Sequence, residues 1–384
     1  MKKQKKQKNR DREKAKIITF KPMKKIAVLL IVLGLSYGHA LAQKTTKTEN
    51  IFLITVDGLR WQELFKGADS LFVDDTGMIE SQGSLLDEFW HTDPLKRREM
   101  LMPFTWSILA GEGQIYGNRA YGNQVDLRNN MLFSFPGYNE ILTGAADDDR
   151  ITSNAKTNNP NITLLEHLQR IPDYQGKVLA FGSWDVFSYI VNEDRSGIPV
   201  NAGFDMAEGS DLSEGERIVN RIQQEIRGPW GGVRLDPFTH HYAMEAIKKY
   251  EPKVVFIAYG EPDDWAHDNR YDEYLHSIKQ FDAYLKDLWE YIQSTPQYKD
   301  KSTMIITTDH GRGIDKATWT GHGSGIPVSR EAWIASIGPD SEGLGEVKRE
   351  EILYPSMIAR TIFQLLGLSY PDDKADASIA GILP

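Results

Sequence analysis

Five stretches of the chain are apolar almost without interruption, and each stops on a polar or glycine-rich turn. They are NIFLITVDG (50–58), KVLAFGSWD (177–185), KVVFIAYGEPDD (253–264), STMIITTDHG (302–311) and EAWIASIGP (331–339). Strands of this kind are covered on both faces, as in parallel sheets, whereas a half-exposed strand would alternate. Between them the spacing turns helical. NITLLEHLQRI (161–171) puts Leu164, Leu165 and Leu168 on one side. YDEYLHSIKQFDAYLKDLWEYIQ (271–293) does the same with Tyr274, Leu275, Ile278, Phe281, Leu285 and Leu288. REEILYPSMIARTIFQLLGL (349–368) reads as a covering helix broken near Pro355. Alternating strands and helices predict an α/β fold with a mostly parallel sheet. DDTGMIESQGS (74–84) and EGSDLSEGER (208–217) read as surface loops, and no internal repeat is visible.

The N-terminus follows a different pattern. Residues 24–35, KKIAVLLIVLGL, place two lysines before an apolar run too short to span a bilayer comfortably, and ALA at 40–42 follows. This is the form of a secretory signal peptide over 23–42, with cleavage expected after Ala42 and an uncleaved anchor as the alternative. Residues 1–22 form a basic extension, or a start assigned upstream of the true one at Met23. The formal charge of −9 becomes −19 once residues 1–42, with twelve Lys and Arg against two acids, are removed. A chain that acidic is not expected to bind nucleic-acid backbones. With no cysteine, an exported protein must rest on a large core rather than on disulfides. A periplasmic or secreted location follows, with no stable membrane anchor, and the mature protein reads as one domain over 50–384.

Candidate chemistry gathers where the strands end. In parallel sheets functional groups collect outside the carboxyl edges of the strands. Asp57 closes the first strand, Asp263 and His267 follow the third, and Asp309 and His310 close the fourth. TGHGSG (320–325) sets His322 between glycines. A single strand-end Asp is more often a turn or helix cap, but three Asp and three His on four segments form a set. Carboxylate and imidazole without thiolate suit zinc, with manganese as the oxygen-rich alternative. Six ligands exceed one open zinc site and fit two ions about 4 Å apart. His240 and His241 read as surface residues, and His91, His167 and His276 sit in ordinary loop or helix contexts.

These pieces, in this order, resemble the alkaline phosphatase superfamily, and most nearly its nucleotide pyrophosphatase/phosphodiesterase branch. VDGLRWQEL (56–64) resembles the opening metal motif, GEPDDWAH (260–267) the Glu-Pro-Asp-x-x-x-His motif, and TTDHG and GHG the next two. The resemblance implies a three-layer sandwich with helices on both faces of the sheet. It also implies two divalent ions: Asp263, His267 and His322 around one, Asp57, Asp309 and His310 around the other. GQIYGNR (113–119) is similar to a Gly-Asn segment of the family, which would make Asn118 a donor to a phosphoryl oxygen. The family nucleophile is a Ser, Thr or modified Cys at a helix N-terminus, with Pro often two residues on and Gly ten residues on. In LMPFTWSILAG (101–111) that spacing falls on Leu101, which cannot attack, and Thr105 is the nearby hydroxyl.

The expected function is hydrolysis of phosphate mono- or diesters, with sulfate esters a weaker variant. Attack comes either from Thr105 or from water at the metal pair. Two other readings stand beside it. One is a metal-stabilised binding protein that has lost catalysis, for which Leu101 is the argument. The other is a transferase that moves phosphoryl-linked headgroups.

Overall fold

A computed structural model describes residues 46–384. The expected extension, signal peptide and cleavage point lie outside the described residues. Eleven strands are present among them: β1 (Asn50–Val56), β2 (Gln114–Tyr116), β3 (Asn123–Asp126), β4 (Val178–Gly182), β5 (Val200–Ala202), β6 (Val254–Tyr259), β7 (Ser302–Thr308), β8 (Glu331–Ala332), β9 (Ile334–Ile337), β10 (Gly345–Glu346) and β11 (Glu351–Leu353). Eight form one sheet in the order β10-β2-β9-β7-β1-β6-β4-β5, and β11-β3-β8 form a small second sheet. β1 lies between β6 and β7 and runs parallel to both, Val56 opposite Tyr259 on one side and Thr308 on the other. The carboxyl ends of these three strands therefore lie side by side.

The apolar strands are covered as their composition requires. Every residue of β1, β6 and β7 is buried. Alternate residues of β1 face opposite cores. Phe52, Ile54 and Val56 pack with the Asp236–Tyr250 and Tyr271–Ser294 helices. Ile51 and Leu53 pack with the Ser134–Thr143, Leu164–Gln169 and Met357–Leu365 helices. That is three layers, each fully buried Ile, Leu or Phe contributing about 1.5–3 kcal/mol. The Tyr271–Ser294 helix, about 36 Å long at the α-helical rise, buries the face expected from its spacing, Tyr274, Leu275, Ile278, Phe281, Leu285 and Leu288.

Several details differ from the sequence reading. The 331–339 stretch is not one parallel strand: Glu331–Ala332 joins the small sheet and Ile334–Ile337 runs antiparallel to β7. The 349–368 stretch begins as a short strand, and its helix starts only at Met357, after Pro355. Residues 208–217 are not all loop, because Ser213 caps a helix from Glu214 with a reciprocal Glu216 contact. His240 is not a surface residue. It is 1% exposed and lies between the Tyr259 hydroxyl and the Asp287 carboxylate, 2.9 Å from each.

Candidate active site

At the shared carboxyl edge of β1, β6 and β7 the structure brings all six sequence-expected residues together. Asp57 follows β1. Asp263 and His267 lie on the Glu261–His267 helix that follows β6. Asp309 and His310 follow β7 directly, and His322 arrives on the next loop. His310 Nε2 is 3.2 Å from Asp57 Oδ1, 3.4 Å from Asp309 Oδ2 and 3.9 Å from Asp263 Oδ1. His267 Nε2 lies 3.0 Å from Asp263 Oδ2 and 3.1 Å from His322 Nε2. The rings of His310 and His322 stack at 3.9 Å.

Ligand atoms of Asp57, Asp309 and His310 fall within 4.8 Å of one another, as do those of Asp263, His310 and His322. Asp57 Oδ1 and Asp309 Oδ2 are buried and have no hydrogen-bond partner. Two orphaned buried carboxylate oxygens beside imidazole nitrogens are costly unless a cation fills the space, so the donor set fits divalent ions. His310 Nδ1 lies 3.0 Å from the Gly311 carbonyl. A carbonyl only accepts, so Nδ1 carries the hydrogen and Nε2 faces the carboxylates.

The electrostatics of the metal-free cluster follow from crowding. Burial pushes His310 down, but Asp309, Asp57 and Asp263 outweigh it and hold its pKa up at about 10. Burial, together with the Asp57 charge, drives Asp309 well above the carboxylate range. Burial acts the same way on Asp263, yet Arg312, His322 and His267 hold it well below that range. Asp264 is pushed up to about 9 by burial and by the neighbouring Asp263 and Asp57 charges.

The structure adds a helix that the sequence reading did not find. Ser134–Thr143 begins at the cluster, with Ser134 its first residue and 5% exposed. Ser134 Oγ is 3.4 Å from His310 Nε2. One turn on, the Tyr138 hydroxyl donates to Asp57 Oδ2 at 3.0 Å. Asn154 Oδ1 accepts from the Phe135 amide at 3.0 Å, which leaves its NH2 as the remaining donor. Asp57, Ser134, Asn154, Trp184, Asp264 and His322 line a cleft of about 200 Å³. Ser134 also satisfies the spacing noted for the family nucleophile: Pro136 stands two residues on and Gly144 ten residues on.

The two catalytic candidates from the sequence lie elsewhere. Leu101 is fully buried in the apolar core at the end of the Pro94–Leu101 helix. Thr105 Oγ1 donates to Asp282 Oδ1 at 2.6 Å. Its neighbour Phe104 shares a groove with Ile337, which pairs with Met304 in the first half of β7. Asp309 lies beyond the other end of that strand, about 16 Å further at the rise of a β-strand. Asn118 caps a short 3₁₀ turn, its Nδ2 donating to Glu346 Oε1 at 2.5 Å and its Oδ1 accepting from Ala120 N at 3.0 Å. It takes no part in the cleft.

One supporting residue was also not visible in the sequence. The Asp236 carboxylate accepts from Gly260 N at 2.8 Å, Glu261 N at 3.1 Å and the Ser183 hydroxyl at 2.5 Å. It caps the turn between β6 and the helix that carries Asp263 and His267.

Solved structures share the architecture across most of the chain. The alkaline phosphatase PafA superposes with a TM-score of 0.58 at 10% identity, covering 89% of this chain and 100% of that one. The fold is shared with that alkaline phosphatase. The lipoteichoic acid synthase LtaP from Listeria monocytogenes gives 0.53 at 13% identity, covering 86% and 74% of the two chains. The phosphonate monoester hydrolase SpPMH from Silicibacter pomeroyi gives 0.52 at 12% identity, covering 88% and 76%. The model of a family described as the Metalloenzyme superfamily matches residues 237–328, the span that holds five of the six clustered residues. A 2,3-bisphosphoglycerate-independent phosphoglycerate mutase from Gracilaria tenuistipitata var. liui is 36% identical over 69 residues, 18% of this chain and 12% of that protein.

Proposed function

We propose that this chain is an exported hydrolase of phosphate esters, mono- or diesters, that works with two divalent ions and uses Ser134 as its nucleophile. Zinc fits the nitrogen-rich half of the donor set, with manganese as the alternative. The observation that carries the reading is the helix N-terminus set against the Asp-His cluster: the Ser134 hydroxyl, Asp57 and the imidazoles of His267 and His322 line one small cleft, with His310 and the partnerless Asp309 Oδ2 buried beside them. Asp263, His267 and His322 would hold one ion, and Asp57, Asp309 and His310 the other. Bound there, the ions would polarise the ester and neutralise charge on the leaving oxygen.

The chain's own residues do the rest. Ser134 Oγ attacks phosphorus, forming an O–P bond as the bond to the leaving oxygen breaks; the serine proton passes to solvent, and the departing alkoxide takes one up from solvent to leave as the alcohol. Its position at a helix N-terminus favours the developing negative charge. Asn154 offers its NH2 to a phosphoryl oxygen, the electrostatic role first sought at Asn118. Tyr138 holds Asp57 by one oxygen and leaves the other free. Water then releases the phosphoryl group from Ser134. Sulfate esters are the weaker variant of the same chemistry, and a sulfatase, the 2-O GAG sulfatase BT1596, is among the similar folds.

The mutase match does not carry a mutase function here, because it spans so little of that protein. The test is a panel of aryl phosphate, phosphodiester, phosphonate and sulfate esters with the zinc-loaded protein. Ser134→Ala should lose at least 10²-fold in kcat/KM on the best substrate, the scale for removing a positioned reacting group. Full activity in that variant would remove Ser134 from the mechanism. An inert wild type with both ions bound would favour the non-catalytic binding protein instead.

A further inference from the structure

Arg312 is a buried charge with an unusual set of partners. It is 1% exposed and stands two residues after His310, on the loop leaving β7. Its Nη1 pairs with Asp263 Oδ1. Its Nε donates to the Trp319 carbonyl at 2.9 Å and its Nη2 to the Thr320 carbonyl at 2.8 Å. Thr320 lies two residues before His322. One planar fork thus joins the β7 loop, the His322 loop and the helix of Asp263 and His267. Only a guanidinium can make three such divergent bonds in one plane.

Neighbouring contacts follow the same seam. Gly313 N donates to Gly321 O at 3.1 Å. The Trp319 indole donates to Asn269 Oδ1 at 2.9 Å, two residues beyond His267. At the other side, a Cβ built on Gly58 would meet Arg312 Nη1 at 2.8 Å and Asp263 Oδ1 at 2.4 Å. That glycine therefore leaves the space in which arginine and carboxylate meet. The partner groups of Arg312 belong to segments that carry Asp263, His267 and His322. Asp57 and Asp309 are held separately, by Tyr138 and by the Gly58 amide.

We infer that Arg312 is a positioning residue that assembles one of the two metal sites, the one formed by Asp263, His267 and His322, and leaves the other largely independent of it. This rests on the two-metal reading above. Without the fork, the His322 loop and the Asp263 helix are no longer held in register, and three ligands must pay the ordering entropy on binding. Loss of a residue that orients metal ligands typically costs 10–100-fold in affinity.

The experiment uses the full chain stripped of metal and titrated with zinc by calorimetry. Arg312→Lys keeps the charge and removes the fork. It is made in two backgrounds, Asp57→Ala, which retains the Asp263 site, and His322→Ala, which retains the Asp309 site. The zinc Kd should rise about 10–100-fold in the first background and by less than threefold in the second. Equal weakening in both, no weakening in the first, or tighter binding there would each overturn the inference; tighter binding would mean that Arg312 competes with the ion. If Arg312→Lys does not fold by near-ultraviolet circular dichroism, Arg312→Gln is measured against the same criteria. A wild-type chain that takes up no zinc fails at the two-metal reading itself, and the role of Arg312 falls with it. Wild-type uptake of two ions with both Kd values unchanged by the variant refutes Arg312 alone.

Discussion

Gly137 offers a sharp test of whether the Ser134–Thr143 helix belongs to the site. It lies one turn after Ser134, pressed on the backbone that follows β7. A Cβ built there would stand 2.3 Å from the Asp309 carbonyl oxygen and 3.0 Å from its carbonyl carbon. An ordinary carbon–oxygen contact needs about 3.4 Å, within the range of weak C–H···O contacts. Gly137→Ala must therefore push the helix or Asp309 by about 1.1 Å. A misplacement of that size at a reacting centre can cost about 10²-fold in rate. Forcing a methyl into so tight a contact costs about 1–3 kcal/mol of stability. The assay is kcat/KM on the best ester of the panel, beside urea unfolding and metal content of the same preparation. A folded Gly137→Ala protein with two ions bound and wild-type kcat/KM would refute the claim that this helix carries the nucleophile.

Two further outcomes follow from the geometry. Thr105→Val removes a hydrogen bond to the Asp282 carboxylate, which burial has pushed up to about 6; it should lower stability in urea unfolding by about 1–3 kcal/mol and leave kcat/KM within twofold, and a 10²-fold loss would restore Thr105 to the mechanism. In the metal-free cluster, His310 holds its proton up to about pH 10. That proton must leave when zinc binds, so zinc affinity should rise with pH between 6.5 and 8.5, by up to about tenfold per unit. Calorimetry in buffers of different ionisation enthalpy should find at least one proton released per chain, and affinity flat in pH with none released would contradict this.

The sheet and the acid–imidazole set were legible because both are written in short, local signals. A run of β-formers around an apolar centre such as 302–308 admits few alternatives to a covered strand, and Asp309–His310 is tied to it by the chain itself. Asp57, Asp263 and His322 come to the same place because β1, β6 and β7 are parallel neighbours, as their composition implied. Ser134 was missed although its spacing to Pro136 and Gly144 is the same as the pattern sought. Pro103 and Gly111 reproduce that spacing by coincidence around Leu101, and a pattern of two small residues does not report which helix ends at the metals. Asn154 was missed in the same way, since Gly117–Asn118 had the local form but follows β2, which β9 separates from β7. Asp236 and Arg312 could not be read at all. Asp236 acts through the Gly260 and Glu261 amides and Arg312 through the Asp263 carboxylate, partners distant in sequence that only the folded chain brings together.

The account rests on two metal ions at the shared strand ends. Anomalous diffraction at the zinc edge from crystals of the zinc-loaded protein tests it directly. The account requires two peaks, one about 2.0–2.2 Å from donor atoms of Asp57, Asp309 and His310 and one at the same range from Asp263, His267 and His322. No peak at these residues, or a single ion held by a different set, would contradict it.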